Sequence, residues 1–456
     1  MPYSVDAAGG GGTKVKREMG LFTATSIVVA NMVGAGIFTA TGIISGFLPG
    51  PGWALGCWAL GGLIAMAGAL CYAELATRMP DEGGEYLYLS RLYHPSLGFL
   101  TGWTSFFVGF SAPIAASAMG FSEYIFAGLN GRFELADPVM LTAMKKGSAA
   151  AAIAIFTVLH YFGLRTGGRV QNVLTAVKVL IVASLAATGI VLGGKSGWAP
   201  GAGMSGGGVL AMGTAMMLVM FSYSGWNATS YVAGEVRDPR RTLPLSLAAG
   251  TGIVIVLYMA VNVFIFRALP FSEVQGTIAI VERASVSTFG DWMGRGLSIM
   301  VGMALLSSLS AYIIIGPRVY FAMARDRLFF PFAARVNPRY GVPGRSIAIQ
   351  GALAVAMVVA GSFEQLLVYI GFALGIFPWL AVAGLFIARR RSTGESGAVR
   401  VPLYPLLPAF FLVTTLALMV VAFINRPFES SAALVTVGAG VPVYFLWIKA
   451  VARTTS

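Results

Sequence analysis

Charge is what this sequence has least of. Only 11% of its 456 residues are Asp, Glu, Lys or Arg, against 57% hydrophobic, where soluble domains carry about a quarter charged residues. So little charge cannot cover a water-exposed surface, which excludes disorder and an ordinary cytosolic enzyme. Cysteine and histidine are almost absent: Cys57, Cys71, His94 and His160. Two cysteines cannot frame a disulfide scaffold. They share one apolar run, and their separation along a helix is roughly 21 Å, well beyond disulfide reach. No Cys/His metal site can be assembled, and no cofactor is implied. The alternation of a transmembrane barrel is missing, as is a signal peptide; residues 1–19 read as a flexible cytoplasmic tail.

Long apolar runs are abundant. A helical span needs about 20 mainly apolar residues, and twelve stretches qualify: approximately 20–47, 53–76, 97–128, 147–164, 170–193, 208–234, 243–267, 287–323, 345–362, 364–388, 403–424 and 431–451. The third and eighth exceed what a bilayer requires, which predicts tilt. The chain is basic, with 31 Lys and Arg against 18 Asp and Glu. Nucleic-acid binding would gather that charge on one face or arm. Here Lys14–Arg17 and Arg389–Arg391 directly flank apolar runs instead. With the N-terminus inside, connecting segments on the inner side hold 21 basic residues and those on the outer side 8. This bias predicts a multi-pass protein of the cell (plasma or inner) membrane with both termini cytoplasmic, the lipid bilayer being its only macroscopic partner.

Two spans are interrupted. The first contains Asn31-Met32-Val33-Gly34-Ala35-Gly36-Ile37-Phe38, the sixth Phe221-Ser222-Tyr223-Ser224-Gly225-Trp226-Asn227. Small residues also serve helix packing, so either stretch alone is ambiguous. Together they occupy matching positions of two five-span halves, the pattern of a transporter site built on inverted repeats. At such breaks, half-helix N-termini offer N–H groups to an anion and C-terminal carbonyls face a cation. The head group of a zwitterionic amino acid carries both charges.

These stretches resemble a known family. Val33-Gly34-Ala35-Gly36-Ile37-Phe38, then Tyr72-Ala73-Glu74-Leu75 with Pro80, Gly83-Gly84-Glu85-Tyr86 and Gly102-Trp103, are similar to motifs of the amino acid–polyamine–organocation superfamily. So are Phe221–Asn227 with Gly234-Glu235-Val236-Arg237-Asp238-Pro239, and Gly316-Pro317-Arg318-Val319-Tyr320. The resemblance implies an all-α membrane protein of the leucine-transporter-like fold. It has 12 transmembrane helices, with a first five-helix repeat at 20–193, an inverted second repeat at 208–388, two additional C-terminal helices at 403–451, and helices 1 and 6 unwound. The substrate-binding residues it implies are Met32, Val33, Gly34, Ala35, Gly36 and Ile37, together with Phe221, Ser222, Ser224, Gly225, Trp226 and Asn227. N–H groups around Gly34 hold the carboxylate, carbonyls of Phe221, Ser222 and Ser224 hold the ammonium, Phe221 and Trp226 cover the side chain, and Asn227 supports the turn. Ser224 stands where the L-type branch commonly has glycine.

Lys178 lies about eight residues, or roughly 12 Å, inside the fifth span. That is nearly too deep to snorkel, and an intramembrane charge is a functional candidate by default. Similarity to the L-type branch and its bacterial relatives puts this lysine where sodium-coupled members bind a cation, near Ser308, which implies sodium-independent coupling. Glu74 and Arg78 form an i,i+4 pair and read as structural. The charges from Glu235 to Arg241 suit either an inner gate or a solvated loop.

Several patterns carry no function. Gly189–Ser196 spells a phosphate loop but lacks the strand before it and the helix after it. Gly34-Ala35-Gly36 lacks the third glycine of a dinucleotide fingerprint, and Asn227-Ala228-Thr229 is a glycosylation triplet at mid-span. No catalytic constellation is present, so an enzyme is not expected. The expectation is a secondary amino acid transporter working by alternating access, by exchange or by proton coupling, with protons a candidate co-substrate and no obligatory partner subunit. The alternatives are a polyamine carrier and a solute-sensing receptor.

Overall fold

The computed structural model describes residues 17, 19–81, 83–129, 137–161, 176–185, 187, 208–325, 327–330, 344–391 and 397–455. Nearly all of the N-terminal tail, the phosphate-loop pattern at 189–196 and both ends of the fifth span lie outside them. Among the described residues the regular elements are helices, and the only strand-like pairing is one isolated bridge between Met19 and Val236.

The first half comprises α1 (Leu21–Met32), α2 (Ala35–Ser45), α3 (Pro51–Arg78), α4 (Glu85–Leu92), α5 (Pro95–Thr104), α6 (Ala112–Gly128), α7 (Pro138–Tyr161) and α8 (Ala176–Leu185). There follow α9 (Gly208–Ser222), α10 (Pro239–Ala268), α11 (Phe271–Val274), α12 (Ile280–Phe289), α13 (Asp291–Arg325), α14 (Gly344–Ala360), α15 (Phe363–Arg390), α16 (Leu406–Asn425) and α17 (Pro427–Thr455). Proline opens several of these, including α3 and α10, because its missing N–H is one the first turn would leave unpaired anyway. Among the described residues nine helices, counting α1–α2 and α5–α6 as one each, are long and apolar enough to cross a membrane. Three shorter apolar helices, α8, α9 and α14, fall on further predicted spans.

The core is the packing of α1, α2, α3, α6, α9, α10 and α13, and all eleven residues of α2 are buried. Large apolar side chains are exposed on the outer helices, such as Ile155, Val413 and Leu446. That is the reverse of a soluble surface.

The structure moves several predicted boundaries. The fourth helix starts at Pro138 rather than 147. Lys145 and Lys146 interrupt the apolar reading there, but Lys145 pairs with Glu123 at 2.6 Å and Lys146 donates to the Val359 carbonyl at 2.9 Å. The eighth span begins at Asp291 rather than 287, because α12 is a separate helix ending at Gly290, whose φ is +81°. The long third span is one 34-residue stretch carrying a π-helical turn at Ser105–Ser111. Pro113 has no N–H for the Gly109 carbonyl, and Ser111 Oγ donates to Phe106 O at 2.6 Å inside the widened turn. Cys57 and Cys71 are both free thiols.

Glu74 is wholly buried and does more than the pair with Arg78. Its carboxylate accepts from Arg78 at 2.8 and 3.0 Å, from Arg389 of α15 at 2.6 and 2.9 Å, and from the Val401 backbone N–H at 2.8 Å. Arg389 also lies over the Tyr404 ring at 3.7 Å. One carboxylate thus joins α3, α15 and the segment leading into α16. Glu74→Gln leaves two guanidiniums without their anion. It is expected to cost about 3–5 kcal/mol, read as a lowered thermal unfolding midpoint of the detergent-solubilised protein; an unchanged midpoint would refute this role.

Candidate functional site

Both interruptions are real breaks. α1 stops at Met32, and Val33 (φ −72°, ψ 88°) and Gly34 (φ −126°, ψ −155°) are non-helical before α2 begins. α9 stops at Ser222. Ser224 N then closes a tight turn onto Phe221 O, Gly225 takes φ +95°, and a 3₁₀ segment runs from Ala228 to Glu235. The two breaks touch. A Cβ at Gly36 would lie 2.5 Å from Ser222 Cα, and one at Gly225 would lie 3.0 Å from the Asn31 carbonyl. Glycine is required at 225 twice over, by the sign of φ and by the proximity of backbone.

Breaking a helix in an apolar setting frees carbonyls that need donors. Three side chains supply them to α1. Lys178 Nζ, completely buried, donates to Ala30 O at 3.0 Å. The Tyr258 hydroxyl of α10 lies 2.5 Å from Met32 O and 3.0 Å from Ser222 O, so it spans both breaks. Ser308 Oγ of α13 receives Lys178 at 3.3 Å and donates to Val33 O at 3.4 Å. Lys178 forms no ion pair among the described residues. The predicted neighbours Lys178 and Ser308 are therefore in contact. Tyr258 is not among the sequence candidates, although a single tyrosine in a largely apolar span is itself a signal, since a buried hydroxyl seeks a partner.

A cavity of about 1540 Å³ borders the breaks. Of the predicted substrate residues, Phe221, Ser224, Gly225, Trp226 and Asn227 line it, beside Asn31 and Tyr312. Met32, Val33, Gly34, Ala35, Gly36, Ile37 and Ser222 are buried beside these lining residues. The first-turn N–H groups of α2 have no intrahelical acceptor. Trp226 is pinned edge-on between Tyr72 (4.9 Å) and Phe411 (5.9 Å), and a Cβ at Gly68 would strike it at 2.7 Å.

The cavity extends to the start of α1, where Phe22 and Thr25 line it, and to the latter part of α13, at Ile315 and Val319. α2 and the segments packed on it are joined by hydrogen bonds. Gly276 N donates to Gly42 O at 2.8 Å, and the Tyr124 hydroxyl donates to Phe38 O while accepting from Val281 N.

The Asn227 backbone carbonyl braces the turn by accepting from Ser230 N and Oγ. Its side chain leaves the turn and donates to Glu85 Oε1 at 2.6 Å. The Glu235–Arg241 charges include a side chain, Glu235, outside the described residues. Within the segment, Arg237 N donates to Met19 O at 2.8 Å, clasping the start of α1 by backbone alone.

Comparison with known proteins places this geometry. The family described as "Amino acid permease" matches residues 19–446. The serine/threonine exchanger of Bacillus subtilis (strain 168) is 28% identical over 439 residues, 94% of this chain and 97% of that protein. The b(0,+)-type amino acid transporter 1 of Homo sapiens is 27% identical over 450 residues, 96% and 89% of the two chains. The large neutral amino acids transporter small subunit 2 of Mus musculus is 27% identical over 469 residues, 98% and 84%.

Gly225→Ala forces an L-residue into the left-handed region, at about 1–2 kcal/mol, and adds a Cβ against Asn31. The expected result is a thermal midpoint well below that of the exposed-helix control Gly56→Ala, which meets no atom within 4 Å; equal midpoints would refute the crossing.

Proposed function

The chain belongs to the amino acid permease family, multi-pass membrane transport proteins rather than enzymes, and from that premise we propose a sodium-independent amino acid exchanger working by alternating access. The observation that carries this reading is the contact of two broken helices with Lys178 seated on the first. In this reading the Lys178 side chain, held by Ala30 O and Ser308 Oγ, takes the place of a bound cation at the carbonyl end of α1. Transport then needs no sodium to assemble the site.

The substrate is an α-amino acid. Its carboxylate faces the N–H groups opening α2 at Ala35–Ile37, with Gly34 permitting close approach. Its ammonium faces the carbonyl end of α9 at Phe221 and Ser224. The Ser222 carbonyl is shared with Tyr258, so Phe221 and Ser224 carry more of that contact. Phe221 and Trp226 cover the side chain. The names of the relatives make serine, threonine and other neutral amino acids the first candidates. A polyamine fits less well, because among the described residues Glu85 is the one carboxylate on the cavity wall, and it is already held by protein donors.

With the N-terminus cytoplasmic, as the basic bias predicts, the cavity faces inward and α2 with the 270s segment lies on the outer side. The proposal includes twelve spans arranged as two five-helix repeats, 20–193 and 208–388, plus helices at 403–451. One relative is described as a small subunit, so the test includes the chain purified alone.

Proteoliposomes preloaded with serine and threonine should take up radiolabelled amino acid by counterflow at the same rate in sodium and in choline. Lys178→Met, which loses a charged hydrogen-bond donor worth about 1.5–3 kcal/mol, should slow exchange by about tenfold or more. Collapse of uptake in choline would refute the role of Lys178. Absence of counterflow with any of the common amino acids, despite specific binding, would favour a receptor.

A further inference from the structure

Glu85 has no part in the substrate contacts above, yet it is among the most carefully held groups in the molecule. It opens α4, between the spans of α3 and α5, and is 5% exposed, with its edge on the cavity wall. Two glycines bring it there. Gly83 (φ +113°) and Gly84 (φ +51°) adopt backbone that other residues avoid. Gly83 N donates to Tyr231 O at 3.2 Å, and a Cβ on Gly84 would strike the Tyr231 ring at 2.8 Å. The start of α4 is thereby pressed onto the 3₁₀ segment that follows the second break.

The carboxylate collects donors from three elements. Tyr72 of α3 donates at 2.8 Å and Asn227 of the break at 2.6 Å, while the Tyr231 hydroxyl of the 3₁₀ segment is a third partner. Among the described residues no cation forms an ion pair with it. On α4 itself the titratable neighbours are Tyr88 and Arg91, and Arg91 pairs with Asp81. On α3, Glu74 and Arg78 hold each other. On α15, Arg389 is bound to Glu74, and Arg391 donates to Leu92 O. α5 contributes no ionisable side chain, and His94 at its cap bonds Ser96. A buried carboxylate whose partners among the described residues are neutral donors, and which borders a cavity, is placed to exchange a proton.

We infer that Glu85 is the residue at which this transporter binds and releases a proton, and that through Asn227 its protonation state sets the conformation of the Phe221–Asn227 break. The inference deepens the proposed function and rests on it. Protonation converts the carboxylate to a neutral acid, the proton coming from cavity water. It weakens the hydrogen bonds from Tyr72, Asn227 and Tyr231, which are strongest to an anion.

Burial is the dominant influence and pushes the Glu85 carboxyl up to about 7, against the opposing effect of its three donors. The sign follows by linkage. A conformation with a raised pKa binds the proton more tightly than one in which Glu85 is hydrated. The cavity-open conformation described here is therefore favoured below about pH 7 and loses that advantage as pH rises through it.

Counterflow at equal pH on both sides removes any driving force from a gradient. The wild-type exchange rate should change across neutral pH with a midpoint near 7. E85Q should be flat, fixed at the acid-limb rate of the wild type. Tyr72→Phe removes a donor that stabilises the anion and should move the midpoint to higher pH, a shift that a merely structural role would not produce. Infrared difference spectra of the purified protein, acid minus neutral, should show a protonated-carboxyl stretch that E85Q lacks. A wild-type profile flat in pH, an E85Q profile that follows the wild type, or identical infrared spectra would each overturn the inference while leaving amino acid exchange standing. If no amino acid is exchanged at all, the proposed function fails, and the infrared comparison still decides the Glu85 proton. Should E85Q not fold, the Tyr72→Phe midpoint decides it alone.

Discussion

Everything at the centre of this molecule depends on how the carbonyls at the end of α1 are satisfied. A helix that stops inside an apolar slab leaves groups that neither lipid nor neighbouring backbone can bond. Lys178, Tyr258 and Ser308, from three helices distant in sequence, each take one of them. Because these donors are side chains of packed helices, the break becomes a fixed feature of the fold instead of a local melting. The Tyr258 hydroxyl extends the same solution to the second break through Ser222. The two gaps are in that sense one polar island, held shut by hydrogen bonds and surrounded by apolar packing.

That island divides the labour of recognition. Backbone groups at the helix ends are rigid and suit the invariant head group of an amino acid. In the proposed reading, side chains that line the cavity, Phe221, Ser224 and Trp226, meet the part of the substrate that varies. Trp226 is locked between Tyr72 and Phe411, so the wall it forms is stiff. In the proposed reading, selectivity then comes from the shape of a preformed surface more than from rearrangement around each substrate.

Much of this was legible in the sequence, for identifiable reasons. Hydrophobic runs longer than a bilayer announce themselves, and glycines in the middle of such runs are conspicuous because lipid gives no other reason to tolerate a weak point. Lys178 stood out on the same ground. What could not be read was partnership across distance. Glu74 looked like a local pair with Arg78 and proved to join three elements through Arg389 and Val401. Glu85 follows a glycine pair that carries no role in the sequence, since nothing in one dimension says that Tyr72 and Asn227 converge on it. Lys145 and Lys146 misplaced a helix start because a charge reads as the end of an apolar run unless its counter-charge, here Glu123, is seen in space. Amphipathic connectors such as α4 and α12 fell below the length that marks a span.

The backbone clasp of Met19 onto Val236 and Arg237 looks minor among these contacts, yet it fixes the mechanics. It ties the entry of α1 to the exit of the 3₁₀ segment by backbone. Two levers pinned at their outer ends and crossed at Gly36 and Gly225 have lost most of their independent freedom. In the alternating-access cycle proposed for this chain, the near arms of both broken helices would move together, with the glycine crossings as their axle. A carrier built this way resists half-measures, because tilting one arm without the other would shear the clasp.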